Sequence, residues 1–301
     1  MTNRPVHPLR IVVAIATAGR PFMVGETLAE LTRQSRRPDE ILVCPATDKD
    51  FQPGTLRLDG IPIRWTIGPR GLTKQRNQIL DMVGDCDLII FLDDDIFLSP
   101  DYLEQMEQLF VAQPDVVVAT GDLLADGILG PGIPPEEARS IIAAAGPRAQ
   151  SQGISPYYAG YGCNMAFRWA AIRQTGSRFD ERLPLYGWQE DVDFSRQVSK
   201  AGRVVKSKAL RGVHLATKSG RQSGVRFGYS QVANPLYLWR KGTVTAHFAF
   251  RLMARNMLAN FGKLLTPEPH VDRLGRVRGN LMALRDLMLG KLTPERVLEL
   301  S

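Results

Sequence analysis

The sequence predicts an α/β protein built on a doubly wound sheet, with a basic, helical C-terminal extension. Three observations predict it. Short apolar runs alternate with helical stretches through residues 9–120 at the spacing of βαβ units. One run, Leu88–Leu92, is apolar at every position, as in a central strand covered on both faces. Charge is unevenly divided. Residues 203–301 carry 18 Lys and Arg against 5 Asp and Glu, a net +13, whereas residues 1–202 carry 20 against 26, a net −6.

Leu9–Ile15 reads as the first strand and ends in the turn Ala16-Thr17-Ala18-Gly19-Arg20-Pro21. Val24–Ser35 reads as a helix with Leu28 and Leu31 on one face. Ile41–Cys44 is a second strand, leading to Pro45-Ala46-Thr47-Asp48, and Ile63–Ile67 alternates as a third. Thr73–Val83 is a helix with a Thr cap that carries Lys74, Arg76 and Asn77. Beyond the strand at 88–92, Tyr102–Val111 is a helix and Val116–Thr120 a buried strand. The Gly/Pro-rich segment Gly127–Pro135 is a loop, with a short helix over Pro134–Ala145. Tyr161–Arg168 is a strand and Arg168–Thr175 a short helix. A helix over Asp191–Ala201 begins with carboxylates, which the helix dipole favours in the first turn. Arg203–Val205 is a strand, Gly212–His214 ends another, and residues 217–228, rich in glycine and basic residues, read as a mobile loop.

The strand at 88–92 runs straight into Asp93-Asp94-Asp95. Three adjacent carboxylates are costly to bury unpartnered, so they belong at the carboxyl end of the strand, where open α/β sheets bind ligands. Side chains alternate along an extended chain, so Asp93 and Asp95 point one way and Asp94 the other. Two like charges about 4 Å apart repel by about 4 kcal/mol at an effective dielectric near 20. A divalent cation removes that repulsion, and hard oxygen ligands select Mg²⁺ or Mn²⁺ over zinc. The competing reading is a solvated acidic turn, which the apolar Ile96-Phe97-Leu98 immediately afterwards disfavours.

The three cysteines, Cys44, Cys86 and Cys163, are far apart and show no metal-ligand pairing, which fits a reduced cytoplasmic compartment. Met1–Arg10 lacks the apolar core of a signal peptide, and no run approaches the roughly 18 apolar residues of a membrane span. The basic half calls for an anionic partner; on charge alone nucleic acid, phosphates and anionic lipid all qualify.

The motifs ATAGRP, LDDDIF, YGCNMAFR, GWQEDVDF and GVHLA, in this order, resemble family 2 glycosyltransferases over about residues 9–240. A lone Asp-x-Asp is common; joined to a Glu-Asp nearly a hundred residues on and a downstream His it is specific. The resemblance implies a GT-A fold with a mixed sheet over residues 1–240, its nucleotide-binding half at about 9–120 and its acceptor half at about 121–240, and a helical extension over 241–301. It implies that Asp93 and Asp95 approach a Mn²⁺ or Mg²⁺ ion and the donor ribose, with Asp94 beside them and His214 as a further metal ligand. Thr17 and Arg20 match the first nucleotide-contacting turn. Asp48 matches a base-contacting position, although Cys-Pro-Ala-Thr replaces the usual Asp-Asp-Gly-Ser before it. Lys74, Arg76 and Asn77 match the helix beside the diphosphate, and Asn164, with Gly162 and Cys163, the donor-sugar wall. Asp191 matches the catalytic base of inverting members, with Glu190 orienting acceptor or base. Trp188 offers a face for a sugar ring, and a core role suits it equally. Lys218, Arg221 and Arg226 suit closure over the pyrophosphate, or a solvated charge run. The spacing from Gln222 to Arg226-Phe227 departs from the Gln-x-x-Arg-Trp motif of processive members, which implies one sugar per encounter.

The expected enzyme is therefore a metal-dependent, inverting, non-processive glycosyltransferase using a nucleotide-sugar donor and a glycan or lipid-linked acceptor, with no nucleic acid partner. A nucleotidyltransferase is a weaker alternative, since it needs a Gly-rich phosphate loop after the first strand and ATAGRP has a single Gly. A phosphohydrolase is disfavoured because its nucleophilic Asp belongs on the first strand. An inactive binding module of the same fold is the remaining alternative. In residues 243–265, His247, Arg251 and Arg255 form a narrow basic stripe beside a wide apolar arc. That pattern fits a helix in the interface of an anionic membrane, peripheral on the cytoplasmic face, and also a helix packed on the catalytic domain.

Overall fold

The computed structural model describes residues 8–55, 58–146, 153–217 and 223–300. Among these residues nine strands form one mixed sheet: β1 (Ile11–Thr17), β2 (Glu40–Pro45), β3 (Ile63–Trp65), β4 (Leu88–Leu92), β5 (Ile96–Leu98), β6 (Val116–Asp126), β7 (Ile154–Pro156), β8 (Asn164–Arg168) and β9 (Arg203–His214). The order across the sheet is β3-β2-β1-β4-β8-β6-β9-β5, with β7 beside β9. The first four are parallel, β8 runs antiparallel between β4 and β6, and β5 is antiparallel to the end of β9. The helices are α1 (Pro21–Leu31), α2 (Leu72–Met82), α3 (Tyr102–Ala112), α4 (Pro135–Ala145), α5 (Trp169–Thr175), α6 (Glu190–Val198), α7 (Gly224–Lys241), α8 (Ala246–Gly262) and α9 (Arg273–Met288).

The unbroken apolar runs of β1 and β4 have the expected cause. Val13, Ile15, Ile90 and Leu92 pack on one face against Leu28 and Leu31 of α1 and Leu103, Met106 and Phe110 of α3. Val12, Ala14, Ile89 and Phe91 pack on the other against Ile79 and Leu80 of α2, Phe167 and Phe194. Each such side chain contributes about 1.5–3 kcal/mol by leaving water. The carboxyl edge of the sheet is therefore packed on both faces where β4 ends at Leu92, just before Asp93.

Three regions differ from the sequence reading. The two strands expected at 203–205 and up to 214 are one twelve-residue strand, β9. Its middle is polar, Lys206-Ser207-Lys208, because Lys208 is exposed and Lys206 pairs with Asp122 at 2.7 Å, while Ser207 is buried. The strand expected over 161–168 starts only at Asn164, since residues 161–164 form a turn closed by Asn164 N–H donating to the Tyr161 carbonyl. Residues 224–228, read as loop, open α7, capped by the Ser223 hydroxyl accepting from Arg226 N–H. The glycines there serve helix contact. A Cβ on Gly228 would stand 2.1 Å from the Arg276 carbonyl oxygen, and one on Gly279 2.1 Å from that of Val225. Only glycine lets α7 and α9 approach so closely. Lys218 and Arg221 lie outside the described residues.

Helix α8 buries one face and leaves the other exposed. Ala249 and Met253 are buried, Met253 with Tyr229, Val232 and Ala233 of α7, while Phe250, Arg251, Arg255, Leu258 and Phe261 are exposed. No helix among the described residues is long and apolar enough to cross a membrane.

Candidate active site

The three aspartates occupy the sharp break between β4 and β5. Asp94 turns to one side, fully buried, and accepts from the Thr17 hydroxyl at 2.6 Å. The Arg20 guanidinium spans the break, 2.7 Å from Asp94 Oδ1 and 2.8 Å from Asp95 Oδ2. Burial raises the Asp94 carboxyl, opposed by Arg20 and Thr17. Asp95 Oδ2 also accepts from Thr217 N–H at 2.8 Å. Burial works against ionised Asp95, but His214, Arg20 and the Thr217 N–H outweigh it and hold the carboxyl below its usual range.

Asp93 and Asp95 share the other side with His214. The β5–β9 ladder sets this, because Ile96 lies opposite His214 and Leu215 N–H donates to the Asp95 carbonyl at 2.9 Å. His214 Nε2 is 3.6 Å from Asp95 Oδ1 and 3.8 Å from Asp93 Oδ2. One ligand atom from each of the three residues lies within 4.8 Å of the others. Octahedral ligand atoms about 2.1 Å from one ion are about 3 Å apart when adjacent and about 4.2 Å when opposite, and the two His214 separations, 3.6 and 3.8 Å, fall between these, as for ligands gathered about one Mg²⁺- or Mn²⁺-sized cation. Asp95 Oδ1 is buried without a hydrogen-bond partner, as an oxygen reserved for such an ion would be. Burial opposes the charged imidazole, yet Asp126 and Asp95 outweigh it and lift His214 to about 10. A cation binding here therefore displaces a proton from Nε2.

The facing wall carries the second pair of carboxylates. Arg76 is fully buried, ion-paired with Glu190, 3.1 Å from Asp93 Oδ1 and donating to the Gly162 carbonyl at 2.8 Å. Its guanidinium carbon also lies 5.7 and 5.5 Å from the Phe91 and Phe179 ring centroids. Burial pushes Glu190 up to about 8 despite Arg76. Asp191, in the first turn of α6, accepts from Gly162 N–H at 3.0 Å and from Val192 N–H at 2.8 Å. Burial raises its carboxyl above the ordinary range, and the two N–H groups hold it in place. The result is a half-buried, oriented carboxylate whose basicity is increased, the property a general base needs.

The remaining expected residues divide. Asn164 is buried in β8, its Oδ1 accepting from the Thr120 hydroxyl at 2.7 Å and its Nδ2 unpartnered. A Cβ on Gly121 would meet that Nδ2 at 2.8 Å. Trp188 is half-buried with its ring edge-on to Phe227 at 5.7 Å. Lys74 is exposed on α2. Asp48 is exposed, and the buried acid is instead Asp50, which accepts from Gly19 N–H at 2.7 Å and steadies the Arg20 turn. Asn77 is turned to scaffold work: its Nδ2 donates to the Phe179 carbonyl and Glu181 Oε1, and its Oδ1 accepts from Phe179 N–H, all at 2.9 Å. Arg226 donates from Nε to the Leu300 carbonyl at 2.7 Å. Tyr186 escaped the sequence reading. The residue is 47% exposed overall, yet burial of its hydroxyl, with Asp93, Asp191 and Glu190 nearby, pushes that group up. Its signal was the aromatic spacing Tyr186-Gly187-Trp188 just before Glu190.

Residues 12–127, from β1 through the aspartates to the end of β6, match glycosyl transferase family 2. That stretch, rather than the whole chain, carries the likeness to the glycosyltransferase family. The solved structures similar to this chain show the GT-A fold. They include S. aureus TarS residues 1–349, at 16% identity and TM-score 0.56, covering 97% of this chain and 83% of that one. The mannosyltransferase PcManGT from Pyrobaculum calidifontis, in complex with GDP-Man and Mn²⁺, aligns at 14% identity and TM-score 0.56 over 98% of this chain and 86% of that one. GalNAc-T7, with UDP, GalNAc and Mn²⁺, aligns at 13% identity and TM-score 0.56 over 93% and 57%. The chain spans 44% of the longer TarS chain it also matches. No curated protein matches the sequence.

Proposed function

We propose that the protein is a metal-dependent, inverting, non-processive glycosyltransferase that moves a sugar from a nucleotide-diphosphate donor to a glycan or lipid-linked acceptor. Residues 1–240 form the transferase domain and residues 241–301 the helical extension. The convergence of Asp93, Asp95 and His214, with Asp95 Oδ1 buried and without a hydrogen-bond donor, carries the reading. These three would hold Mn²⁺ or Mg²⁺, whose bound charge stabilises a diphosphate leaving group. Two of the similar structures contain Mn²⁺ and nucleotides, which supports the same use here. Arg20 neutralises Asp94 and Asp95 and keeps the site from being overly negative. Arg76 does the same for Asp93 and Glu190 and orients Gly162, whose N–H in turn aims Asp191. Asp191 takes the proton of the acceptor hydroxyl as its oxygen attacks the anomeric carbon. Locked to Arg76, Glu190 fixes that geometry rather than sharing the proton. Asn164, Trp188 and Tyr186 line the donor and acceptor sugars.

The test is incubation with a panel of nucleotide-sugars and Mn²⁺. One donor should be consumed slowly with release of the nucleoside diphosphate even without acceptor. Consumption of none indicates a binding module. Release of pyrophosphate from a nucleoside triphosphate and a sugar phosphate indicates a nucleotidyltransferase.

The proposal includes a peripheral position on the cytoplasmic face of a membrane, beside the acceptor. The outward face of α8 supports it. Phe250, Leu258, Phe261 and the following Leu265 form an exposed apolar stripe, with Leu258 73% and Leu265 95% accessible. Arg251 and Arg255 flank it, Trp239 lies 5.4 Å from Phe250, and α8 contains no acidic residue. Self-pairing of that face would bring arginines together, whereas anionic lipid supplies about 1 kcal/mol per basic residue that reaches it. The protein should co-sediment with anionic vesicles and dissociate as salt rises. Remaining in the supernatant with anionic vesicles at low salt would leave a transferase without membrane attachment.

A further inference from the structure

We propose that Asp126 is a positioning residue for the metal site, fixing His214 through Nδ1 so that Nε2 is presented to the ion alongside Asp93 and Asp95. The inference rests on the reading of His214 as a ligand.

Asp126 is the last residue of β6 and lies directly beside His214, the last residue of β9. The pairing is built rather than incidental, because β6 reaches it only after three shifts in register against β9. Irregularities of this kind re-aim side chains near functional sites. Asp126 Oδ1 is 2.9 Å from His214 Nδ1. Its other contacts hold the carboxylate still: Oδ1 also accepts from Ile128 N–H at 3.0 Å, and Oδ2 accepts from the Tyr161 hydroxyl at 2.8 Å. The Tyr161 ring stands edge-on to the imidazole, with 6.3 Å between centroids and 88° between planes. A carboxylate at Nδ1 requires the proton there. It therefore leaves the Nε2 lone pair for a cation, fixes the ring plane and increases the nitrogen's donor strength. Tyr161 then acts on the ion at one further remove.

The test measures Mn²⁺ alone binding to the full chain, by titration calorimetry or the electron paramagnetic resonance of free Mn²⁺. Asp126→Ala should weaken Mn²⁺ about 10- to 100-fold. Asp126→Asn, which can still accept from Nδ1 but lacks the charge, should weaken it less. Both should keep the wild-type circular dichroism spectrum. In the Mg²⁺-loaded wild type, the ¹⁵N shifts of His214 should report a neutral ring protonated at Nδ1, and Asp126→Ala should lose that signature. A merely structural role would not move the tautomer. If His214→Ala weakens Mn²⁺ while both Asp126 variants bind as the wild type, Asp126 does not position the ligand, and the metal reading stands. If His214→Ala binds Mn²⁺ as the wild type, the ligand reading and this inference fall together.

Discussion

Asp191→Asn should lower turnover by about 100-fold or more while leaving the affinity for the nucleotide-sugar near the wild-type value. The asparagine keeps the shape of the side chain but has a single acceptor oxygen, so it keeps one of the two contacts from Gly162 and Val192 N–H, which fall on separate oxygens of Asp191. What it loses is the ability to take a proton. Glu190 cannot substitute, because Arg76 engages it and the two are buried together. The acid limb of the wild-type rate profile should also lie above the range of an ordinary aspartate, following the raised Asp191 carboxyl, and disappear in the variant. Steady-state kinetics and the anomeric configuration of the product check both halves. A variant with near wild-type rate, or a product that keeps the donor's configuration, removes Asp191 from the role of base.

Asp95→Ala should abolish measurable turnover and weaken nucleoside diphosphate binding in the presence of Mn²⁺ by at least about 100-fold, or about 2.8 kcal/mol. Two losses combine. The metal site loses its buried oxygen, and Arg20 and Thr217 lose the acceptor that fixes the turn after β1 and the end of β9. Asp95→Asn separates them, since it keeps an oxygen for those donors but lacks the charge. Calorimetric titration with and without Mn²⁺ reads the difference. Binding by Asp95→Asn in the presence of Mn²⁺ as tight as that of the wild type would mean that Asp95 serves the turn alone.

The strand-and-aspartate centre was legible because its physics is local. An apolar run that stops at three carboxylates has few resolutions, and alternation alone separates Asp93 and Asp95 from Asp94. The parallel half of the sheet was legible for the same reason. What escaped depended on partners distant in sequence. The ion-pair partner of Arg76, Glu190, lies 114 positions on, where no local pattern points to it. Asn77 reads as a donor contact until the 179–181 turn claims its amide. Asp126 sat in a stretch without clear periodicity, because the bulges that aim it at His214 also erase the strand's alternation. The start of α7 was hidden by glycines that usually end helices and here admit α9.

The most direct measurement of the central claim is donor consumption in that nucleotide-sugar panel before and after excess EDTA. The account predicts that chelation abolishes turnover and that Mn²⁺ or Mg²⁺ restores it. Full activity in excess EDTA would contradict it, because Asp93, Asp95 and His214 would then be gathered at the end of β4 for some other purpose.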